Sequence, residues 1–252
     1  MSTFTRRDTP IYSRSLNFGC AAYALVALAG FASPSVAAPV PFGPTAYLQA
    51  SDSPFAGLSF SYFHLENFED HSLNTPGLSA SPGGVTSVVF GPTIHDSVDA
   101  DDGAINGSGL LGDSYFSGTG SVTLLFDATV LGALPTHAGL VWTDGGFGTT
   151  VTFQAFDGSN NSLGIITNSS HADSSNNGET PEDRFYGFSN DTGIARLVIS
   201  NSGGIEIDHV QYGLLAADVG EVPLPPALTL FATGLGALGL MAWRRKRRAV
   251  AA

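Results

Sequence analysis

TVTFQAFDGSNNSLGIIT, residues Thr150–Thr167, is the stretch that decides the fold class of this 252-residue chain. In Thr150–Phe156, apolar and polar side chains alternate as far as Ala155, which is the period-2 pattern of a half-buried β-strand. Asp157–Asn161 (DGSNN) is rich in turn-forming residues, and a second strand-like run begins at Ser162. The stretch therefore predicts two consecutive β-strands joined by a turn.

Similar short runs, separated by Gly, Asp, Asn, Ser and Pro, occur through residues 40–220, where helical periodicity is nearly absent. Strands at this spacing predict an all-β fold, a single jelly-roll-like β-sandwich over residues 38–216. No fixed repeat is evident, which argues against a β-helix or a propeller. The polar segment Asp173–Asp183 is predicted to be a long exposed loop. The other predicted strands are Leu58–His64, Val85–Phe90, Ser121–Phe126, Leu140–Thr143, Phe185–Phe188, Ala195–Ser200 and Ile205–Tyr212.

The predicted domain is strongly acidic. Residues 38–221 contain 21 of the 22 Asp and Glu but only Arg184 and Arg196 of the ten Lys and Arg, a formal charge of −19. Such a surface repels nucleic acid and anionic lipid, so we exclude both as partners of the domain. It attracts divalent cations, although an acidic surface that only maintains solubility explains the composition equally well. The single cysteine, Cys20, precedes the domain, which therefore has no disulfide.

The N-terminus has the organisation of a secretory signal peptide. Three arginines between residues 6 and 14 precede the apolar run Phe18–Phe31, which is too short to span a bilayer comfortably. Ser35-Val36-Ala37 provides a small-x-small cleavage pattern, so residues 1–37 are expected to be removed before Ala38. General secretion is favoured over twin-arginine export, because Asp8-Thr9-Pro10 lacks the apolar residues that should follow an arginine pair.

The C-terminus contains a second membrane-type segment. Residues 227–243 are an apolar run which, as a helix, would extend roughly 25 Å, the short end of a membrane span. The prolines before it exclude an earlier helix start, and the cations after it would stay cytoplasmic, leaving the domain outside. We predict a linker at residues 217–226, a transmembrane helix at 227–243 and a basic cytoplasmic tail at 244–252. The flanking motifs are Val222, Pro223, Leu224, Pro225 and Pro226, and Arg244, Arg245, Lys246, Arg247 and Arg248.

This order of proline motif, apolar helix and arginine cluster resembles the PEP-CTERM sorting signal of Gram-negative bacteria in its VPLP variant, with Leu224 where the commonest form has Glu. The resemblance implies that an exosortase-type membrane enzyme recognises Val222–Pro226 and cuts nearby, while Arg244–Arg248 act as a stop-transfer signal. It also implies an exported protein, anchored transiently in the inner membrane and then released to the cell envelope or extracellular matrix, where exopolysaccharide would be a partner.

Three stretches of the domain also resemble known sequences. LENFED (residues 65–70), GLVWTDG (139–145) and GIEIDHV (204–210) resemble uncharacterised secreted domains that precede PEP-CTERM tails and, more remotely, galactose-binding-like jelly rolls, the fold of many carbohydrate-binding modules. The resemblance implies a non-catalytic surface or matrix protein with a structural or adhesive role. The alternative is a calcium-dependent carbohydrate-binding module. No catalytic residue is assigned, because the sequence contains neither G-x-S-x-G nor H-E-x-x-H.

Two groups of carboxylates are candidate ligands for calcium, which prefers oxygen donors. In the jelly rolls that the chain resembles, a structural calcium is commonly held between the first and last strands, which implies Glu69, Asp70 and Asp208 here. The pattern Ile205-Glu206-Ile207-Asp208 supports this assignment, because its two acids share the face opposite the isoleucines. The alternative is that these acids simply face solvent.

The second group lies in the acidic segment Asp96–Gly103. Carboxylates at alternating positions followed by Gly103 are similar to a calcium loop, and Asp99, Asp101 and Asp102 are the candidate ligands. The distant Glu of an EF-hand is missing, since Leu110 occupies that position. An irregular calcium loop and a plain acidic turn both remain open.

Trp142, Tyr115 and Tyr186 are candidates for stacking on sugar rings. Because Trp142 lies within the apolar run Leu140–Trp142, a place in the core is the better interpretation for this residue.

Overall fold

The computed structural model describes residues 37–90, 96–145, 150–169, 178–217 and 226–249. In these ranges the chain forms two antiparallel sheets that share one apolar core, so the prediction of an all-β sandwich is confirmed. The strands are β1 (Val40–Ala46), β2 (Phe60–Glu66), β3 (Leu78–Ser81), β4 (Gly84–Val85), β5 (Tyr115–Ser117), β6 (Ser121–Phe126), β7 (His137–Gly145), β8 (Val151–Phe156), β9 (Ser162–Asn168), β10 (Arg184–Ser189), β11 (Arg196–Ser200) and β12 (Ile205–Leu215). The helices are α1 (Thr86–Phe90), α2 (Ala128–Leu131) and α3 (Pro226–Ala249).

Strand β12 is the centre of the larger sheet, sheet A, whose order is β1-β10-β7-β12-β5-β4. One edge of β12 pairs with β7, while the other pairs first with β5, at Ile205–Ile207, and then with β2, from Val210 onward. Sheet B has the order β3-β6-β11-β8-β9. Its hairpin β8–β9 is the one predicted from the alternation, and its register pairs Val151 with Asn168 and Phe156 with Ser162.

The inner faces of the two sheets bury the apolar half of each alternating strand. On β8, Val151, Phe153 and Ala155 are fully buried, while the residues between them are partly exposed. Phe153 packs against Tyr186 and Phe188 of β10, at ring-centroid distances of 5.7 and 5.9 Å. Because burying one such aromatic side chain contributes about 1.5–3 kcal/mol, this layer supplies much of the stability.

The outer face of sheet A is also covered. Residues 47–58, 96–114 and 178–183, here called the outer layer, are connected to one another by backbone hydrogen bonds. A second apolar cluster packs between this layer and the sheet, formed by Tyr47, Phe55, Val98, Val141 and Phe185. Strand β7 is consequently buried on both faces from His137 to Thr143.

Two sequence-based predictions of local structure are wrong. The segment predicted as the strand Val85–Phe90 is helix α1 from Thr86 onward, since a short apolar run does not distinguish the two structures. The predicted exposed loop Asp173–Asp183 is buried at its C-terminal end, where Glu182 and Asp183 are 2% and 0% exposed, because it forms part of the outer layer. Residues 173–177 lie outside the described residues.

Helix α3 contains the predicted membrane span 227–243 and most of the basic tail. Among the helices of the described ranges, none is long and apolar enough to cross a membrane, so the predicted span is not confirmed. The predicted signal peptide, up to residue 36, and the sorting residues Val222–Pro225 lie outside the described residues.

Candidate functional site

The candidate site lies on the outer face of sheet A, where β12 presents its acidic residues. Ile205 and Ile207 are fully buried in the core, and Glu206 and Asp208 lie on the opposite face, as the alternation predicts. The register between β12 and β7 shifts just after Asp208, and His209 has a φ of 42°. Because of this bulge, Asp208 and His209 both face the outer layer although they are adjacent in sequence.

Asp208 and His209 converge with Asp101 of the outer layer. The potential ligand atoms of these three side chains, here called the Asp208 cluster, lie within 4.8 Å of one another. Asp208 is 0% exposed, and its Oδ2 accepts the backbone N–H of Val98 at 3.0 Å. Burial raises the pKa of Asp208 well above its usual range, and the charge of Asp101 raises it further. The structure thus joins Asp208 from one predicted calcium group to Asp101 from the other.

His209 connects this cluster to the surrounding side chains. Its Nε2 lies 2.9 Å from Oδ2 of Asp101, and its Nδ1 lies 2.8 Å from the hydroxyl of Tyr47. Both ring nitrogens are therefore within hydrogen-bonding distance of neighbours, which makes His209 a residue that orients Asp101.

Glu69, another predicted calcium ligand, does not belong to the converging ligand atoms of the Asp208 cluster in the described part of the chain. Its Oε1 accepts the backbone N–H of Asp113 at 2.6 Å. Burial raises the pKa of Glu69 to about 7, against the lowering effect of that hydrogen bond, and the charge of Asp101 contributes to the rise.

The remaining predicted ligands organise turns. Asp99 is 1% exposed, and its Oδ1 accepts backbone N–H groups from residues 106–108. Asp70 accepts from the backbone N–H of Ser72, and Asp102 from that of Ala104. In the described part of the chain, neither these two nor Asp99 belongs to a group of converging ligand atoms.

A second group, the Asp96 cluster, consists of Asp96, Asp144 and Glu182, whose potential ligand atoms also lie within 4.8 Å of one another. Asp96 and Glu182 are each 2% exposed. Within the described ranges, neither carboxylate oxygen of Asp96 has a hydrogen-bond partner. Burial raises the pKa of Asp96 to about 10, and the charge of Glu206 is the next contribution. The sequence did not predict this cluster, because its members come from three distant segments.

Glu206 lies beside the Asp96 cluster. Its Oε1 accepts the backbone N–H of Asp96 at 3.3 Å and the hydroxyl of Ser114 at 2.6 Å. Burial raises the pKa of Glu206 to about 7. Its register partner on β7 is Asp144, so the paired strands themselves place two acids side by side.

The two arginines of the sandwich are engaged elsewhere. Nη1 of Arg184 donates to the backbone carbonyl of Asp183 at 2.8 Å. The guanidinium of Arg196 lies 3.6 Å from the ring centroid of Phe156, on sheet B. Neither arginine therefore neutralises Asp96 or Asp208 directly.

The aromatic residues predicted to stack on sugars occupy the core. Trp142, Tyr115 and Tyr186 are 0%, 3% and 0% exposed and belong to the cluster between the sheets. They offer no ring face to a ligand, which corrects the predicted stacking role. For Trp142 the alternative interpretation, a place in the core, agrees with the structure.

An open groove of about 330 Å³ lies along β2. Phe60 and Phe63 line it, with ring centroids 5.0 Å apart and planes inclined by 34°. Phe63 is 41% exposed and Leu58 is 42% exposed, while Ser53 and Gln211 are polar lining residues. The sequence did not predict this groove, because its lining combines residues 50–65 with the distant Gln211.

No protein-family model matches the chain, and no curated protein matches it either. Among solved structures it is similar to the C-terminal family 22 carbohydrate-binding module of Clostridium thermocellum Xyn10B, at 13% identity over 65% of this chain and 99% of that chain, with a TM-score of 0.34. It is also similar to a xylan-binding domain from CBM 22, at 12% identity over 64% of this chain and 98% of that chain, with a TM-score of 0.33. A third is TmCBM61 in complex with β-1,4-galactotriose, at 9% identity over 67% of this chain and 99% of that chain, with a TM-score of 0.22. Because all three TM-scores are below 0.5, the strand pairing of the chain, and not these similarities, establishes the β-sandwich.

Proposed function

We propose that the chain is an exported, non-catalytic β-sandwich with a structural or adhesive role at the cell surface or in the extracellular matrix, and that calcium at the Asp208 cluster stabilises it. The observation that supports this proposal best is the burial of Asp208 against Asp101 on the outer face of sheet A. Removing a carboxylate from water costs several kcal/mol unless an opposite charge compensates.

The donor set fits calcium. Asp101 and Asp208 supply hard oxygen atoms. Glu69, whose pKa is raised in part by the charge of Asp101, is the next candidate for a carboxylate ligand. His209, whose ring nitrogens contact Asp101 and Tyr47, would orient a ligand and not bind the ion itself. A bound calcium would connect the outer layer to β12.

The groove along β2 supports the non-catalytic part of the proposal. Its lining consists of apolar residues, Ser53 and Gln211, and none of these side chains titrates near neutral pH. The hydroxyl of Ser53 donates to Oε1 of Gln211, and Nε2 of Gln211 donates to the hydroxyl of Tyr47. These polar groups are hydrogen-bonded to one another, and none of the described lining residues is placed to act as a general acid or base.

Export and sorting form the second part of the proposal and rest on sequence. The signal-peptide pattern of residues 1–37 would direct the chain across the inner membrane. The motif Val222–Pro226, the apolar segment 227–243 and the cations Arg244–Arg248 would present it to an exosortase-type enzyme. The released domain would then act in the envelope or matrix.

Thermal unfolding with and without calcium tests the structural proposal. After treatment with a chelator, millimolar Ca²⁺ should raise the melting temperature of the protein, because a ligand that binds only the folded state stabilises it. Asp208→Asn should reduce the increase, while Asp157→Asn, in the exposed turn of sheet B, should not. If the melting temperature of the wild-type protein is the same with and without calcium, the proposal is contradicted.

The second candidate function is calcium-dependent carbohydrate binding, and the groove along β2 favours it. Exposed aromatic rings beside a few fixed polar groups are typical of small-ligand sites, and Phe60 and Phe63 provide such rings. Xylan and β-1,4-galactotriose, ligands of the similar structures, are suitable probes.

Calorimetric titration with these glycans, with and without Ca²⁺, tests this candidate. Saturable heat that disappears in Phe63→Ala but persists in Ile165→Ala, an exposed site on sheet B, would support binding in the groove. No heat from the wild-type protein with either glycan, in either condition, would leave the structural role in place and argue against this candidate.

A further inference from the structure

The Asp96 cluster brings together three parts of the chain that are remote in sequence. Asp96 belongs to the outer layer, Asp144 lies at the end of β7, and Glu182 precedes β10. Their potential ligand atoms converge within 4.8 Å although two of the three side chains are 98% buried. Asp144, the third member, is partly exposed, so the cluster lies at the edge of a buried region and not on an open surface.

Among the described residues, the side chain of Asp96 has no hydrogen-bond partner in either protonation state. As a carboxylate it is buried beside other acids, and an uncompensated buried charge is strongly unfavourable. As a neutral acid its O–H would still need an acceptor, and the described part of the chain provides none to either of its oxygens. The backbone of Asp96 is nevertheless fixed, because its N–H donates to Oε1 of Glu206. The carboxylate is therefore positioned but not satisfied by the protein alone.

We propose that Asp96, Asp144 and Glu182 bind a second calcium ion, separate from the ion at the Asp208 cluster. The three side chains offer only oxygen atoms, which select a hard cation over zinc or copper. Calcium fits better than magnesium because it tolerates irregular carboxylate geometry, whereas magnesium requires a near-ideal octahedron and retains several waters. Ser114, which donates to Glu206, helps to hold the neighbouring acid in place.

Such an ion would connect two of the three segments of the outer layer to sheet A. It would connect the segment at Asp96 and the segment at Glu182 to β7, at the end of the strand opposite to His137. The ion at the Asp208 cluster would connect the same layer further along β12. The two sites are thus predicted to be loaded independently, although both stabilise one layer.

Calcium content per chain tests the proposal. The purified full-length protein is dialysed against buffered Ca²⁺, and bound calcium is measured by mass spectrometry of the metal. We expect two ions in the wild-type protein and one in each of the variants Asp96→Asn and Asp208→Asn. Asp157→Asn, an acid in the exposed turn between β8 and β9, is the matched control and should retain both ions.

Melting temperatures in chelator and in Ca²⁺ show whether the variants are folded. In chelator, Asp96→Asn should melt at or above the temperature of the wild-type protein, because the substitution removes an acid that is buried beside other acids. On adding Ca²⁺, its melting temperature should rise less than that of the wild-type protein.

Undiminished calcium content in Asp96→Asn would overturn the second site while leaving the Asp208 cluster intact. The second site would also be overturned if Asp208→Asn were the only variant to bind less calcium than the wild-type protein. A wild-type protein that binds no calcium at all would contradict both proposals. If Mg²⁺ at equal concentration displaces the ion that depends on Asp96, the assignment to calcium is wrong.

Discussion

The outer faces of the two sheets differ although both belong to alternating strands. On sheet B, outward residues such as Leu125 and Ile165 are 48% and 59% exposed, and the alternation separates core from solvent. On sheet A, the outward residues Val141 and Phe185 are fully buried beneath the outer layer. The comparison teaches that a period of two identifies which residues share a face, but not whether that face meets water.

The same difference explains where the carboxylates lie. On an open face, acids at alternate positions of a strand would be solvated and would need no partner. On sheet A the outer layer removes Glu206 and Asp208 from most of the solvent, so their charges require hydrogen bonds, protons or a cation. Burial of the outer face thus turns ordinary strand acids into candidate ligands.

The largest expected difference between the two outer faces concerns Phe185 and Ile165. Phe185→Ala should lower the free energy of unfolding by about 3–5 kcal/mol, because it opens a cavity in a packed aromatic cluster. Ile165→Ala should change it by less than about 0.5 kcal/mol. Chemical denaturation in calcium-containing buffer measures both, and equal losses would mean that the outer layer does not pack as described.

A smaller effect is expected from pH in the absence of metal. Burial raises the pKa values of Glu69 and Glu206 to about 7, above the value of about 4.3 for an unfolded glutamate. The folded state therefore binds more protons than the unfolded state between these values, and its stability should fall as pH rises from about 4.3 to about 7.

In chelator, the melting temperature near pH 5 should exceed that near pH 7.5 by about 5 °C. Saturating Ca²⁺ should weaken or reverse this dependence, since a bound cation stabilises the ionised carboxylates. A melting temperature that rises with pH in chelator would show that these acids are ionised and compensated by the protein itself.

The smallest effect compares two aspartates that each hold a turn. Asp99 is buried in the outer layer and accepts three backbone N–H groups, so Asp99→Asn should cost about 1–2 kcal/mol. Asp157 holds the turn between β8 and β9 in the same way, but at the surface, and Asp157→Asn should cost less. Denaturation midpoints of the two variants measure both losses of stability. A larger loss of stability for Asp157→Asn than for Asp99→Asn would contradict the difference between the two outer faces.

The fold was predictable where one face of a strand meets water. Strands β6, β8, β9 and β11 of sheet B were all predicted to within one residue at each end, because their polar residues are partly exposed. Strands β3, β4 and β5 were missed because they have four residues or fewer, and β1 was missed because glycine and proline interrupt it.

The site was predictable only in part. The alternation in β12 correctly placed Glu206 and Asp208 opposite the isoleucines. The approach of Asp101 to Asp208 depends on how the outer layer folds over the sheet, which no spacing in the sequence encodes. The bulge at His209 likewise has no signature such as a glycine, so its effect on the neighbouring aspartate could not be anticipated.

Strand β12 has a mechanical consequence as well. Its 11 residues are hydrogen-bonded along both edges, to β7 on one side and to β5 and β2 on the other. Because these bonds run perpendicular to the strand, a pull on the chain beyond Leu215 would act along the strand axis and load many of them together in shear. A tether attached on that side would therefore transmit tension to the middle of the sheet, where rupture requires simultaneous sliding, and would not peel away an edge strand one residue at a time.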